Sequence, residues 1–268
     1  MENILEYRSV GIAYGGKPAV SDISFSLKRG EILGLVGESW SGKTTLIKAA
    51  MGLLSAEGSV TAGQIYFENR EILGRPEKEL RKLYGAKMGM IFQDAGASLC
   101  PIRTIGEQIY ESMAAHQKIK KKEAKKRAFV LFEQLCFRDK ERIWNSYPFE
   151  LSGGMNQRVG IAIAMLLNPP LLLADEPTSA LDVSVQRQVV NKMKELKETN
   201  GTSIVIVTHD IGVICAMADT VLVLKNGMCV EYGDAAQVLE HPAKTYTKEL
   251  LAAVPRLNIR RKTDGSNH

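Results

Sequence analysis

Apolar and polar residues alternate between Ile4 and Leu27, as in Ile23-Ser24-Phe25-Ser26-Leu27, and a Gly15-Gly16 pair interrupts the run. A period of two with a glycine break predicts antiparallel strands packed on one face, so a small β-subdomain opens the chain. Glu31-Ile32-Leu33-Gly34-Leu35-Val36 reads instead as a buried strand, and Thr44 to Met51 as a helix. Gln64-Ile65-Tyr66-Phe67 and Met88-Gly89-Met90-Ile91-Phe92 are further strands. From Gln93 to Ser152 the strand signals stop, and a segment rich in Lys, Glu, Gln, Ala and Leu predicts an inserted helical subdomain.

Strand and helix signals then alternate. Leu171-Leu172-Leu173-Ala174 is a short apolar run; Val185, Val189, Met193 and Leu196 share one side of a helix starting near Asp182 or Ser184; Ser203-Ile204-Val205-Ile206-Val207 is the next buried strand. That order is the signature of a parallel sheet flanked by helices. Val221 to Leu224 and Met228 to Tyr232 form a hairpin, because Asn226-Gly227 suits the positive φ angles of a tight turn. The expectation is an α/β fold: one domain over residues 1–255, with the helical subdomain at about 94–158, then a polar, basic and disordered tail at 256–268.

Composition changes little in this picture. The chain has 268 residues, 45% of them hydrophobic, enough for one large α/β domain with an insertion. Its net charge of +5 is concentrated in Lys118 to Arg127 and in Arg256 to Lys262. The first run could meet nucleic acid or anionic lipid, but its alanines and the following Phe129-Val130-Leu131-Phe132 favour the solvated face of a helix. No window approaches the ~20 apolar residues of a membrane span, and Met1-Glu2-Asn3 does not begin a secretory signal, so a soluble cytosolic chain is expected. Cys100, Cys136, Cys215 and Cys229 show no C-x-x-C pairing and read as free, mostly buried thiols.

The chemistry starts where the buried strand meets the helix. Gly37-Glu38-Ser39-Trp40-Ser41-Gly42-Lys43-Thr44-Thr45 fits G-x-x-x-x-G-K-[ST], the loop of a P-loop NTPase core. Its glycines let backbone N–H groups converge on phosphate oxygens, Lys43 reaches the β- and γ-phosphates, and the Thr44 hydroxyl ligates Mg²⁺. The helix N-terminus adds unpaired donors and a positive dipole end. Further along, an apolar strand ends in Asp175-Glu176-Pro177: Asp175 is suited to hold Mg²⁺ through water, and Glu176 to polarise an attacking water. A carboxylate pair could also cap a helix or sit solvated, but the phosphate loop favours the catalytic reading.

Leu151-Ser152-Gly153-Gly154-Met155-Asn156-Gln157-Arg158 resembles the signature motif of ATP-binding-cassette ATPases. The order of motifs is similar as well: Tyr14, the lysine loop, Gln93 after a strand, the signature, the acid pair, Ser179-Ala180-Leu181-Asp182, and His209 after a strand. The resemblance covers nearly the whole chain. It implies that Tyr14 stacks on adenine, that Gln93 contacts Mg²⁺ or the attacking water and senses a transmembrane partner, and that His209 holds the γ-phosphate, the water and Glu176 in line. It implies further that Ser152, Gly153 and Gly154 clamp the γ-phosphate of ATP bound to an opposite subunit, with Asp182 at the seam, so hydrolysis needs a head-to-tail pair. Ser152 serves equally as a plain helix N-cap.

Met155 in place of the usual signature glutamine, and the segment His241 to Pro255, resemble the peptide and nickel importer branch. In that branch the partners are a second, non-identical cassette subunit, two transmembrane permeases and an extracytoplasmic solute-binding protein, with the ATPase peripheral on the cytoplasmic face of the membrane. Many peptide-importing members carry a cysteine cluster after this segment; the lack of any cysteine beyond Cys229 tilts the expectation towards nickel or another small ligand. A nucleic-acid-acting cassette is the competing reading, disfavoured by the single cassette and the absence of sustained heptads. A third reading is a weakly hydrolysing subunit that completes a partner's site, and Trp40 motivates it. Close relatives resemble Gly-Glu-Ser-Gly-Ser-Gly-Lys here, and a non-glycine residue in a left-handed conformation costs about 1–2 kcal/mol.

Overall fold

The opening alternation becomes two long strands, β1 (Asn3–Tyr14) and β2 (Lys17–Lys28), turning at Gly15-Gly16, in a computed structural model that describes residues 2–253. The alternation is interrupted at Ser9, where φ is +47° and the register slips between Tyr7 and Val10. This bulge lets Tyr7 and Val10 both face the core while Arg8 and Ser9 stay exposed. The Ser9 N–H donates to Ser24 Oγ at 2.8 Å.

The fully buried β3 (Ile32–Gly37) runs through the glycine loop into α1 (Lys43–Ala50). The chain then returns to the first sheet as β4 (Gly58–Phe67) and the short β5 (Arg70–Glu71), giving an antiparallel order β2-β1-β4-β5. After α2 (Glu77–Leu83) and β6 (Met88–Ile91), every element up to residue 170 is helical: α3 (Ala95–Ser98), α4 (Ile105–Ala114), α5 (Lys121–Gln134), α6 (Lys140–Asn145), a 3₁₀ turn at Pro148–Glu150, and α7 (Gly153–Met165). The basic run is the outer face of α5, whose inner face is Ala124, Ala128 and Phe132 at helical spacing. A capping box between Thr104 and Glu107 starts α4.

The rest alternates: β7 (Leu171–Asp175), α8 (Val183–Asn200), β8 (Ser203–Val207), α9 (Ile211–Met217), β9 (Thr220–Lys225), β10 (Met228–Asp234), α10 (Ala235–Glu240) and α11 (Thr245–Ala252). The second sheet has the order β10-β9-β3-β8-β7-β6, parallel except for the β9–β10 hairpin, which turns through left-handed Asn226 and Gly227. Both faces of this sheet are covered, which explains its unbroken apolar runs. Leu172, Ala174, Ile204 and Ile206 pack with Val159 of α7, Val189 of α8 and Ile214 of α9. Leu171, Leu173, Val205 and Val207 face Leu46 of α1 and Tyr7, Ile12 and Leu27 of the antiparallel sheet.

The cysteine expectation needs correction. All four are free, but Cys100 is only half-buried, and Cys136, Cys215 and Cys229 are exposed. Cys136 closes α5 in a left-handed turn, φ +61°, and Cys229 lies on the edge strand β10, so neither backbone position faces a core. The disordered tail expected at 256–268 lies outside the described residues.

Candidate functional site

Strand order dictates where chemistry can gather. β8 lies between β3 and β7, with Val207 level with both Leu35 and Asp175, and β6 sits on the far side of β7. The carboxyl ends of these four parallel strands therefore deliver the lysine loop, His209, the Asp175-Glu176 pair and Gln93 to one edge. Open α/β sheets bind ligands in the crevice at that edge.

Within the lysine loop two glycines are sterically required. A Cβ on Gly37 would lie 2.2 Å from the Leu224 carbonyl oxygen, and one on Gly42, where φ is +101°, would lie 2.7 Å from Val20 Cγ2. Gly42 opens α1 with no side-chain cap and no acidic residue in the first turn. The first intrahelical bond is Leu46 N–H to Gly42 O at 3.0 Å, so the preceding N–H groups of the turn are not used inside the helix. That is an anion cradle: free donors and a positive dipole end, with no acidic residue in the helix's own first turn. Trp40 stands in it with φ +66°, the left-handed conformation, and its side chain is 99% exposed.

Lys43 is nearly buried, and its Nζ donates to the carbonyls of Gly37 (2.8 Å) and Glu38 (2.6 Å) and to Ser41 Oγ (3.3 Å). Burial pulls the ammonium below its ordinary pKa, while the carboxylates of Glu176, Asp175 and Glu38 counter that shift. Thr44 Oγ1 donates to Asp175 Oδ1 at 2.8 Å, joining α1 to the end of β7. Asp175 is 2% exposed, and burial raises its carboxyl above the usual range, with the Thr44 bond opposing. Glu176 follows in a left-handed conformation, φ +46°, tied down by its N–H to Val207 O at 2.8 Å. His209 Nδ1 lies 2.9 Å from Glu176 Oε2, with the imidazole largely exposed on its other side. Gln93 is exposed at the end of β6.

A second group forms at the start of α7 and the start of α8. Ser152 caps α7, accepting the Met155 N–H at 3.3 Å, and is exposed together with Gly153. Gly153 faces open space, whereas a Cβ on Gly154 would come within 3.0 Å of Ala180 O, so the start of α7 abuts the turn before α8. Asp182 caps α8 through Ser184 N–H (3.1 Å) and Val185 N–H (3.0 Å), and the Ser184 hydroxyl holds its carboxyl below the usual range. Among the described residues no hydrogen bond or ion pair joins Ser152, Gly153 or Asp182 to the lysine loop. Tyr14 lies at the tip of the antiparallel sheet, its ring filling the space above Gly58.

Two residues that sequence reasoning missed brace these parts. Tyr246 of α11 accepts the Glu38 N–H at 3.4 Å and donates to Leu224 O at 3.5 Å, so the last helix supports the lysine loop. Gln157 is 2% exposed in α7. A polar side chain four residues before Ile161 on the buried side of an apolar helix was the available signal for it; Tyr246 had none in its local pattern.

The donor chemistry suits magnesium nucleotide. Thr44 and Asp175 offer hard oxygens, and among the described residues there is no cluster of three or more His, Cys, Asp or Glu that would form an all-protein cage. Mg²⁺ in phosphate sites takes only one or two protein ligands beside phosphate oxygens and water.

Comparison with known proteins decides the family. Residues 20–179 match the family model described as ABC transporter. The chain belongs to the ABC transporter family. This cassette is 45% identical to the oligopeptide transport ATP-binding protein OppD of Escherichia coli K12, over 93% of the chain and 74% of that protein. It is 40% identical to the dipeptide transport ATP-binding protein DppD of Lactococcus lactis subsp. cremoris MG1363, over 95% of the chain and 74% of that protein. Among solved structures it resembles the ATP-binding cassette MJ0796 in a dimeric post-hydrolysis state bound to ADP and Pi, with TM-score 0.78 and 30% identity, covering 86% of this chain and 98% of that one. The cassette is thus an ATP-binding ATPase subunit that energises transport. Among its described residues no helix is long and apolar enough to cross a membrane.

Proposed function

We propose that this cassette drives a peptide importer by hydrolysing ATP held between its lysine loop and the signature of a second, non-identical cassette. In this reading the N–H groups of residues 37 to 45 and Lys43 cradle the phosphates, Tyr14 meets the adenine, and Thr44, Asp175 and Gln93 serve Mg²⁺ directly or through water. Held there, the ion would supply neutralisation of the developing phosphate charge. Glu176 orients and polarises the attacking water, and His209, held at 2.9 Å from its carboxylate, fixes the direction of that carboxylate and reaches the γ-phosphate.

The observation that carries the composite site is that the second group is exposed and, among the described residues, unbonded to the lysine loop. Ser152, Gly153 and the N–H groups of α7 make an exposed anion clamp with no nucleotide loop of their own chain bonded to it. An anion clamp facing outward needs a phosphate from elsewhere, and a head-to-tail partner supplies one. Closing and reopening of this pair moves two permeases docked along residues 93 to 107, and an extracytoplasmic binding protein delivers the solute. The ATPase then sits on the cytoplasmic face of the membrane. The domain limits follow the same reading: one cassette over residues 1–255, with the helical subdomain at about 94–158.

Relatives named for oligopeptide and dipeptide transport favour peptide over nickel as the cargo. Reconstitution with the neighbouring permeases and binding protein tests this: peptide uptake that stops when Glu176 is changed to Gln supports it. Uptake of nickel and not of peptides would reassign the cargo, and ATPase stimulation by nucleic acid would point to a different class of cassette.

A further inference from the structure

We propose that Gln157 is a positioning residue that mechanically couples the Gln93 turn to the Glu176 turn, so that movement at one is felt at the other. The inference rests on the transport reading above, because it concerns how a pull on the Gln93 turn reaches the hydrolytic carboxylate.

The geometry is that of a single amide using both of its N–H donors and its oxygen. Gln157 Nε2 donates to Phe92 O at 3.0 Å and to Pro177 O at 3.3 Å, and Gln157 Oε1 accepts the Ala95 N–H at 3.3 Å. Phe92 immediately precedes Gln93, and Ala95 opens α3 just after Asp94, so the amide grips the backbone on both sides of the Gln93 turn. Pro177 immediately follows Glu176, whose own backbone is held in the left-handed region. The same side chain stems from α7, five residues beyond Ser152, so the signature clamp is carried along.

Gln157 is 2% exposed, and water cannot replace a partner that moves away. A displaced Phe92 carbonyl would leave buried polar groups unpaired, so the turns and α7 shift together more readily than separately. Gln93 itself reaches outward and makes no bond to Glu176 among the described residues. Beyond the β6–β7 ladder, whose last pair is Ile91 with Ala174, the amide behind Gln93 joins the two turns themselves.

The test is a double-mutant cycle on the steady-state ATPase of the assembled cassette pair, with and without its permeases. Gln157→Met, of similar size but unable to form the three bonds, is expected to lower kcat about tenfold, within the range that coupling free energies span, while KM for ATP changes less than about twofold. Gln157→Glu keeps the acceptor for Ala95 but turns a carboxylate towards two carbonyls, and is expected to match Gln157→Met. Gln93→Ala combined with Gln157→Met should cost no more than either alone. Independent, multiplicative effects, or a Gln157→Glu variant with wild-type kcat, would overturn the coupling. If Gln157→Met does not assemble, Gln157→Asn, too short to span all three partners, is read in the same cycle. Permeases that fail to bind or stimulate the wild-type pair would count against the transport reading, whereas an additive cycle counts against Gln157.

Discussion

Trp40 sets the most unusual local condition in the molecule. Its left-handed backbone costs about 1–2 kcal/mol relative to glycine, and its indole, 99% exposed, makes no compensating contact within the chain. Trp40→Gly is therefore expected to raise phosphate release by the assembled complex several-fold, and equal turnover in the two proteins would remove Trp40 from the account. Glu176→Gln should lower hydrolysis at this chain's own loop by about 100- to 10,000-fold, the usual contribution of a positioned acid–base group, with ATP still bound. Asp175 offers a test of opposite sign. A carboxyl whose folded pKa is raised binds its proton more tightly folded than unfolded, so its favourable contribution is present in acid and lost as pH rises through the folded value. At neutral pH the buried charge opposes folding. Asp175→Asn should stabilise the nucleotide-free chain by about 1 kcal/mol in thermal unfolding while weakening Mg²⁺-dependent ATP binding. A lowered melting temperature would contradict this.

At the scale of elements, the helix α7 combines two roles that one substitution can separate. Ser152→Ala removes the cap on Met155 N–H and should cost about 1 kcal/mol of stability in the isolated chain. In the proposed head-to-tail complex its larger effect should be on hydrolysis, because there the same hydroxyl is assigned to the partner's phosphate. A hydrolysis loss no greater than the stability loss explains would reduce Ser152 to a cap. Elements of this kind were legible in the sequence where periodicity was strong: β3, β7 and β8 are continuous apolar runs because both faces of their sheet are covered. The bulge at Ser9 was not legible, since a period of two carries no sign of a local register slip. Neither α2, with no buried residue, nor the short α10 has an apolar stripe long enough to announce a helix. The cysteines were misjudged because a residue type's average burial says nothing about a helix end or a sheet edge.

For the whole molecule, motif spacing picked out candidate residues but not their grouping. Thr44, Asp175, Glu176 and His209 converge because the crossover order puts β8 between β3 and β7, a fact of topology and not of any local pattern. The contacts of Gln157 and Tyr246 are facts of topology as well: their partners lie in distant segments, and apart from the buried polar position of Gln157 nothing in the surrounding sequence announces them. Topology likewise leaves Ser152 and Gly153 exposed, and the proposed composite site rests on that. The most direct test of that site is a single-turnover measurement of phosphate release by the complex of this cassette with the proposed non-identical partner. With Glu176→Gln in this chain, the remaining burst comes from ATP on the partner's loop. Gly153 faces open space, so Gly153→Asp can be added without crowding the fold. The account predicts that this second change, in the chain whose own site is already silent, erases the burst; a burst of unchanged size would contradict it.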